Sequence, residues 1–265
     1  MRDRYGVIGN PVAHSRSPEI HAGFARATGQ DMEYERIQAP LEGFERTVDA
    51  FRAQGGKGLN VTLPFKEAAF RYCTRASARA TKAQVVNTLA FSDAEAFGDT
   101  TDGAGLVADL TRNLKVDLSG KSVLLMGAGG AAQGVVQALL DARVARLLVA
   151  NRTVSRATRL AERFGVEACG YEALHGQAFD LVLNATSAGL TSEAPGLPAS
   201  VFRPEALAYD MVYGRDTPFL AQARAAGARA ADGLGMLVEQ AAESFLIWRG
   251  VRPDTRAVLE RLRGR

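Results

Sequence analysis

Three short stretches of this 265-residue chain carry residue types and spacings suited to chemistry. In VTLPFKEA, residues 61–68, Pro64 reads as the first residue of a helix: its fixed φ suits that position and its missing N–H is not needed there. Lys66 then falls in the first turn, where the partial positive charge of the helix end repels it by a few tenths to about 1 kcal/mol. It is either an indifferent surface charge or an amine whose proton is put to use. In GNPVAHSRSPEIHAGF, Ser17 precedes Pro18 and is placed to cap a helix, a role for which Ser15 is not needed. Two hydroxyls beside a helix N-terminus also suit a carboxylate, because donors and dipole both point at the anion. Both readings stand on the residues alone.

The third stretch, SVLLMGAGGAAQGVVQALL, runs an apolar strand into Gly127-x-Gly129-x-x-Ala132 and then a helix. The glycines allow a tight turn and close approach of backbone to a pyrophosphate, which would rest on the helix N-terminus. The next strand ends LLVANRT, and the residue at its tip discriminates between cofactors. An acidic side chain there would bind the ribose 2′-hydroxyl of NAD, whereas Asn151, Arg152 and Thr153, with Arg156 a turn later, suit the 2′-phosphate of NADP. Planar guanidinium groups match phosphate oxygens two bonds at a time.

Other polar residues are ambiguous. Asp102 in GDTTDGAGL is a good helix cap, Asn60 and Asn87 are suited to turns at strand ends, and Gln240 is a polar residue on a largely apolar helix. His14, His21 and His175 form no ligand spacing, and neither do Cys73 and Cys169, so ordinary histidines, reduced thiols and no metal site are expected.

Alternating strand-like and helix-like stretches must position these groups. Strands are expected at YGVIG, YERIQ, KGLNVT and VVNTLAF, with helices over roughly 18–29, 43–53 and 64–75. After a helix over 103–114 and the turn DLSGK a second series opens: strand SVLLMG, helix, strand RLLVAN, helix, then strands DLVLNAT, ALAYDMVY and ARAAD. This alternation predicts α/β architecture with mainly parallel sheets. The following GLGMLVEQAAESFLIWRG is apolar on more than one face, which predicts a helix buried between layers that returns to the first domain.

A formal charge of +3, from 32 Lys and Arg against 29 Asp and Glu, gives no footprint for nucleic acid. No stretch approaches the run of about eighteen apolar residues that reads as a membrane span. A cytoplasmic protein with a small-molecule substrate, acting as a monomer or homodimer without nucleic acid or membrane, is expected.

In order along the chain, GNPVAHSRSP, GLNVTLPFK, VVNT, TTDGAG, GAGGAA, NRT, NATSAG, the DMVY…TP segment and ADGLGMLVEQAAESF resemble the shikimate dehydrogenase family. The resemblance implies NADPH-dependent, reversible reduction of 3-dehydroshikimate to shikimate, on the route to chorismate and aromatic amino acids. It implies a substrate domain over 1–102 and 237–265, with C-terminal helices packing back on it, and a Rossmann-like NADP domain over 103–236. It assigns Lys66 and Asp102 to an acid/base pair, and Ser15, Ser17, Asn60, Thr62, Asn87, Tyr213 and Gln240 to the substrate. To NADP it assigns Gly127, Ala128, Gly129, Gly130, Ala131, Asn151, Arg152, Thr153, Arg156, Thr186, Met211 and Gly235. The chain departs from the commonest pattern at Ala22, Thr100 and Gly214–Arg215, where the family more often has asparagine, asparagine and a proline.

Overall fold

The computed structural model describes residues 2–186 and 196–264. The Ser187–Gly189 end of the NATSAG stretch lies outside the described residues. The chain divides into two compact units, Met1–Leu106 with Leu237–Arg265, and Val107–Met236.

The first unit begins β1 (Asp3–Gly9), α1 (Ser17–Thr28), β2 (Met32–Gln38), α2 (Phe44–Ala53), β3 (Gly56–Val61) and α3 (Lys66–Tyr72). It continues with β4 (Arg75–Ala76), α4 (Ala78–Ala83), β5 (Thr88–Phe91), β6 (Ala96–Asp99) and the start of α5 (Asp102–Ala108). Its sheet has the order β2-β1-β3-β5-β6-β4. β1 pairs in parallel with both β2 and β3, whereas β5 is antiparallel to β3 and β6. Ile8, Leu59, Val61, Phe65, Val86 and Leu89 are buried in the core on this sheet.

The second unit contains β7 (Ser122–Met126), α6 (Gly130–Asp141), β8 (Arg146–Ala150), α7 (Val154–Phe164), β9 (Glu167–Cys169) and β10 (Phe179–Asn184). β11 (Phe202–Asp210), α8 (Pro218–Ala225) and β12 (Arg229–Asp232) follow. All six strands are parallel, in the order β12-β11-β10-β7-β8-β9. Numbered within the unit this is the doubly wound order 3-2-1-4-5-6, whose switch point lies between β7 and β10, where ligands of open α/β sheets bind. The strands read as unbroken apolar runs because helices cover both faces of such a sheet; Val123 to Met126 are all fully buried.

α9 (Leu234–Arg249) and α10 (Arg256–Arg263) end the chain. Val238, Ala241, Ala242 and Phe245 of α9 are fully buried, as its all-round apolarity predicts, and Trp248 donates from Nε1 to the Leu89 carbonyl at 2.9 Å.

Several elements differ from the sequence expectation. β4, β6 and β9 carry too little periodicity to be read, being two to four residues long, and α10 is not among the expected elements although Val258, Leu259 and Leu262 fall at helical spacing and are buried. The helix expected over 103–114 is α5 followed by a π-helical turn over Asp109–Asn113. The helix expected from Pro64 starts two residues later: Leu63–Pro64 is a cis peptide in the preceding turn, and Phe65 is the N-cap.

Candidate active site

Lys66 is thus the first residue of α3, and its side chain is only 13% exposed, which does not fit the alternative of an indifferent surface charge. Its Nζ donates to Asp102 Oδ2 at 2.5 Å. The carboxylate offsets the repulsion that the helix end imposes on the amine, which is why a lysine is tolerated there. Asp102 opens α5 and is buried; its Oδ1 accepts from Asn87 Nδ2 at 3.0 Å.

Asn87, just before β5, holds this pair to the C-terminal helix. Its Nδ2 also lies 3.1 Å from Gln240 Oε1 and 2.9 Å from Thr101 Oγ1, while its Oδ1 accepts from the Thr101 N–H at 2.8 Å. Gln240 Nε2 is held by the Leu237 carbonyl at 2.8 Å. Asn60 is not at a strand end but within β3, 5% exposed; Asn87 lies at the bend before β5 and is 3% exposed. Gly105 lets α5 approach α9, since a Cβ there would stand 2.7 Å from the backbone nitrogen of Gln240.

Asn60 is fixed from both ends. Its Oδ1 accepts from Tyr34 at 2.7 Å and faces His21 Nε2 at 3.2 Å; its Nδ2 donates to Ser244 Oγ at 2.8 Å, with longer contacts to Thr88 Oγ1 and the Asn87 carbonyl. His21 is fully buried, stacked on Tyr34 with ring centroids 4.2 Å apart. Burial pushes His21 down to about 3, against a small opposing pull from Asn60, so the ring is neutral near pH 7 and Nε2 carries the proton that Asn60 accepts. The folded value lies below the ordinary 6.5, so the unfolded chain takes up a proton first and stability falls as pH drops from about 6.5 toward about 3. The unfolding midpoint of the wild type should therefore fall more between pH 7 and 5 than that of His21→Gln; parallel slopes would refute this.

Ser15 and Ser17 are both buried, with hydroxyls 3.2 Å apart. The expected capping role of Ser17 is corrected: Ser17 is the first residue of α1, and Ser15 Oγ accepts its N–H at 3.3 Å. Thr62 follows β3, taking the Ile8 carbonyl with its N–H and accepting from the Phe65 N–H with its carbonyl.

In the second unit the glycine turn follows β7 at the switch point. Gly127 has φ +103°, a conformation that L side chains rarely adopt, and a Cβ there would lie 3.1 Å from the Ala185 carbonyl and 3.2 Å from Thr186. Gly129 is the N-cap of α6, and a Cβ on it would meet nothing within 4 Å, so the ground before Gly130 and Ala131 is open. Ala128 accepts a long contact from Gln133 Nε2. Asn151, at the tip of β8, bonds the Thr153 carbonyl at 2.9 Å, and Arg152, Thr153 and Arg156 are exposed. Among the described residues neither Arg152 nor Arg156 is in an ion pair. Open backbone at a helix start, with exposed guanidiniums one strand over, fits a dinucleotide bearing a further phosphate.

Thr186 donates to Asn184 Oδ1 at 2.7 Å at the end of β10, and the Met211 N–H bonds the Asn184 carbonyl at the end of β11. Tyr213 is partly buried, and Gly214 after it has φ +77°, which a proline could not adopt. Gly235 leaves room for Asp109, whose Oδ1 would stand 1.9 Å from a Cβ. Tyr209 donates to Asp109 Oδ2 at 2.7 Å and accepts from the Met236 N–H.

The sequence reading missed Tyr34, Thr88, Thr101 and Ser244, and passed over His21. Ser244 had a usable signal, being four residues after Gln240 and so on the same helix face. The others depend on which strands lie side by side.

Among the described residues no helix is long and apolar enough to cross a membrane, and no cluster of His, Cys, Asp and Glu could hold a metal ion. Residues 7–89 match the shikimate dehydrogenase substrate binding domain, 109–192 the shikimate / quinate 5-dehydrogenase family, and 233–263 the shikimate 5′-dehydrogenase C-terminal domain. The chain is 57% identical to a shikimate dehydrogenase (NADP(+)) of Aromatoleum aromaticum over 98% of its own length and 97% of that protein's. It is 55% identical to one of Chromobacterium violaceum, over 99% and 98%. The solved shikimate 5-dehydrogenase of Thermus thermophilus, in complex with NADP(H) and shikimate, is similar with a TM-score of 0.89 at 37% identity, over 99% of each chain. With these matches spanning both units, the chain belongs to the shikimate dehydrogenase family.

Proposed function

We propose that this chain is an NADP-dependent shikimate dehydrogenase, interconverting 3-dehydroshikimate and shikimate with Lys66 and Asp102 as its acid/base pair. The observation that carries the reading is the 2.5 Å contact between these two side chains, tied through Asn87 to Gln240. A binding protein needs no paired amine and carboxylate beside its polar contacts, whereas reduction of a ketone needs a proton delivered as charge develops on its oxygen. NADPH, when bound, supplies the hydride.

Residues 1–102 and 237–265 then form the substrate part and 103–236 the NADP part. The Ser15 and Ser17 hydroxyls bind the substrate carboxylate; Asn60, Thr62, Asn87, Tyr213 and Gln240 hold its hydroxyls and reacting oxygen. Lys66 Nζ donates a proton to that oxygen in the reducing direction and Asp102 keeps the amine oriented. In the oxidising direction the same pair takes up the hydroxyl proton, so the proton belongs to the pair rather than to one group. Gly127, Ala128, Gly129, Gly130 and Ala131 would hold the pyrophosphate, Asn151, Arg152, Thr153 and Arg156 the 2′-phosphate end, and Thr186, Met211 and Gly235 the remainder of the dinucleotide.

The direct test follows the absorbance of NADPH as NADP+ is reduced by shikimate. Turnover with shikimate and NADP+ is expected; a protein that turns over only quinate, or only with NAD+, overturns the reading. Ser15→Ala and Ser17→Ala should each raise the Michaelis constant for shikimate about ten- to a hundredfold, since each removes a charge-assisted bond worth about 1.5–3 kcal/mol. Ser15→Ala should also lower the melting temperature, because it is Ser15 that accepts the Ser17 N–H. Unchanged kinetics in both variants would leave the pair only this structural role.

A further inference from the structure

The residues assigned to the substrate are themselves held by groups on the edge strand β2. Tyr34 and Arg36 stand two apart on β2 and therefore share one face of it. Arg36 donates from both Nε and Nη2 to a single acceptor, the Ser15 carbonyl, at 2.9 and 2.6 Å. Tyr34 donates to Asn60 Oδ1 at 2.7 Å. One strand face thus reaches Ser15 and Asn60.

We propose that Tyr34 and Arg36 are the positioning residues of the substrate site: Arg36 fixes the backbone that presents Ser15, and Tyr34 fixes the sense of the Asn60 amide. This rests on the reading that the serine pair holds the substrate carboxylate.

Ser15 lies against Ser17, and Tyr34 donates to Asn60. Asn60 Oδ1 is engaged by Tyr34 and His21, which compels its Nδ2 to point the other way, toward Ser244. One N–H of Nδ2 has only contacts of 3.3 and 3.4 Å, to Thr88 and the Asn87 carbonyl, and is the donor a substrate hydroxyl can claim. Without the Tyr34 hydroxyl the amide loses its strongest reason to keep that sense. The Arg36 fork, for its part, opposes rotation of the Ser15 peptide, which a single donor would permit. It also places a cation beside the serines, which favours an anionic ligand.

Steady-state kinetics of Tyr34→Phe, Arg36→Met and Arg36→Lys, run beside Ser15→Ala and Ser17→Ala, test the proposal. Tyr34→Phe keeps the ring that stacks on His21, so the fold should persist with little change in melting temperature. Tyr34→Phe and Arg36→Met should each raise the Michaelis constant for shikimate about tenfold, the effect of one lost hydrogen bond to a polar network. The turnover number and the Michaelis constant for NADP+ should stay within about twofold, a split that general loosening would not produce. Arg36→Lys, which keeps the charge without the fork, should retain most of the defect. Unchanged constants for Tyr34→Phe and Arg36→Met beside raised ones for the serine variants would overturn the proposal, as would complete recovery in Arg36→Lys. Serine variants with normal constants would instead refute the carboxylate reading, and the positioning role with it.

Discussion

Lys66→Ala should lower the turnover number by at least about a hundredfold, the lower range for loss of a general acid or base, while the Michaelis constant for shikimate changes far less. The amine contributes where charge develops on the reacting oxygen, so its loss is felt in the transition state more than in the bound ground state. Because Lys66 is largely buried and its partner Asp102 is 5% exposed, truncation also leaves a buried carboxylate without its cation. Breaking such a pair costs about 3–5 kcal/mol in a fully buried setting, and less here in proportion to the remaining exposure. The variant should be checked by circular dichroism and thermal melting before its kinetics are read. Lys66→Gln, which keeps the length and a hydrogen-bond donor to Asp102, supplies a better-folded comparison and should be nearly as slow. Asp102→Asn should be slow too, because the pair exchanges the proton as a unit. A folded Lys66→Gln protein with near-normal turnover would remove Lys66 from the chemistry.

Arg152→Ala should lower the preference for NADPH over NADH by about ten- to a hundredfold, as expected for loss of charge-assisted bonds to a phosphate that only NADPH carries. NADH binding should be nearly unaffected. Arg156, one turn along and equally exposed, should show the same pattern to the extent that it shares the phosphate. Raising the salt should narrow the wild-type preference, because exposed charge pairs are screened over about 10 Å at 0.1 M. Equal losses for both cofactors would point to damage at the glycine turn. A wild-type protein that already prefers NADH would refute the role given to Asn151, Arg152 and Thr153.

The sequence by itself determined those features that depend on neighbours in the chain. The strand–glycine turn–helix unit around Gly127 is local, and so are the neutral strand tip and the arginines after it. The alternation that makes both sheets mainly parallel is written in apolar runs that helices must cover. α9 was legible as a buried helix because it is apolar on several faces. Short elements were not: β4, β6 and β9 are fixed by the strands they pair with, since two to four residues carry no usable periodicity.

Tertiary structure alone decided the electrostatic setting of Lys66. From the sequence it is a cation at the wrong end of a helix; folded, it begins α3 two residues past Pro64 and lies against a carboxylate from α5, thirty-six positions away. Likewise Ser17 does not make the cap expected of it, because the helix starts at Ser17 with Arg16 as N-cap, and Ser15 accepts the Ser17 N–H instead. His21 looks ordinary in sequence and is neutral because the fold buries it completely, with Tyr34, from the neighbouring strand, stacked on it and Asn60 accepting a hydrogen bond from it. Capping, strand pattern and turn chemistry act over a few residues, whereas desolvation and hydrogen-bond pairing depend on which distant groups the fold brings within about 3 Å.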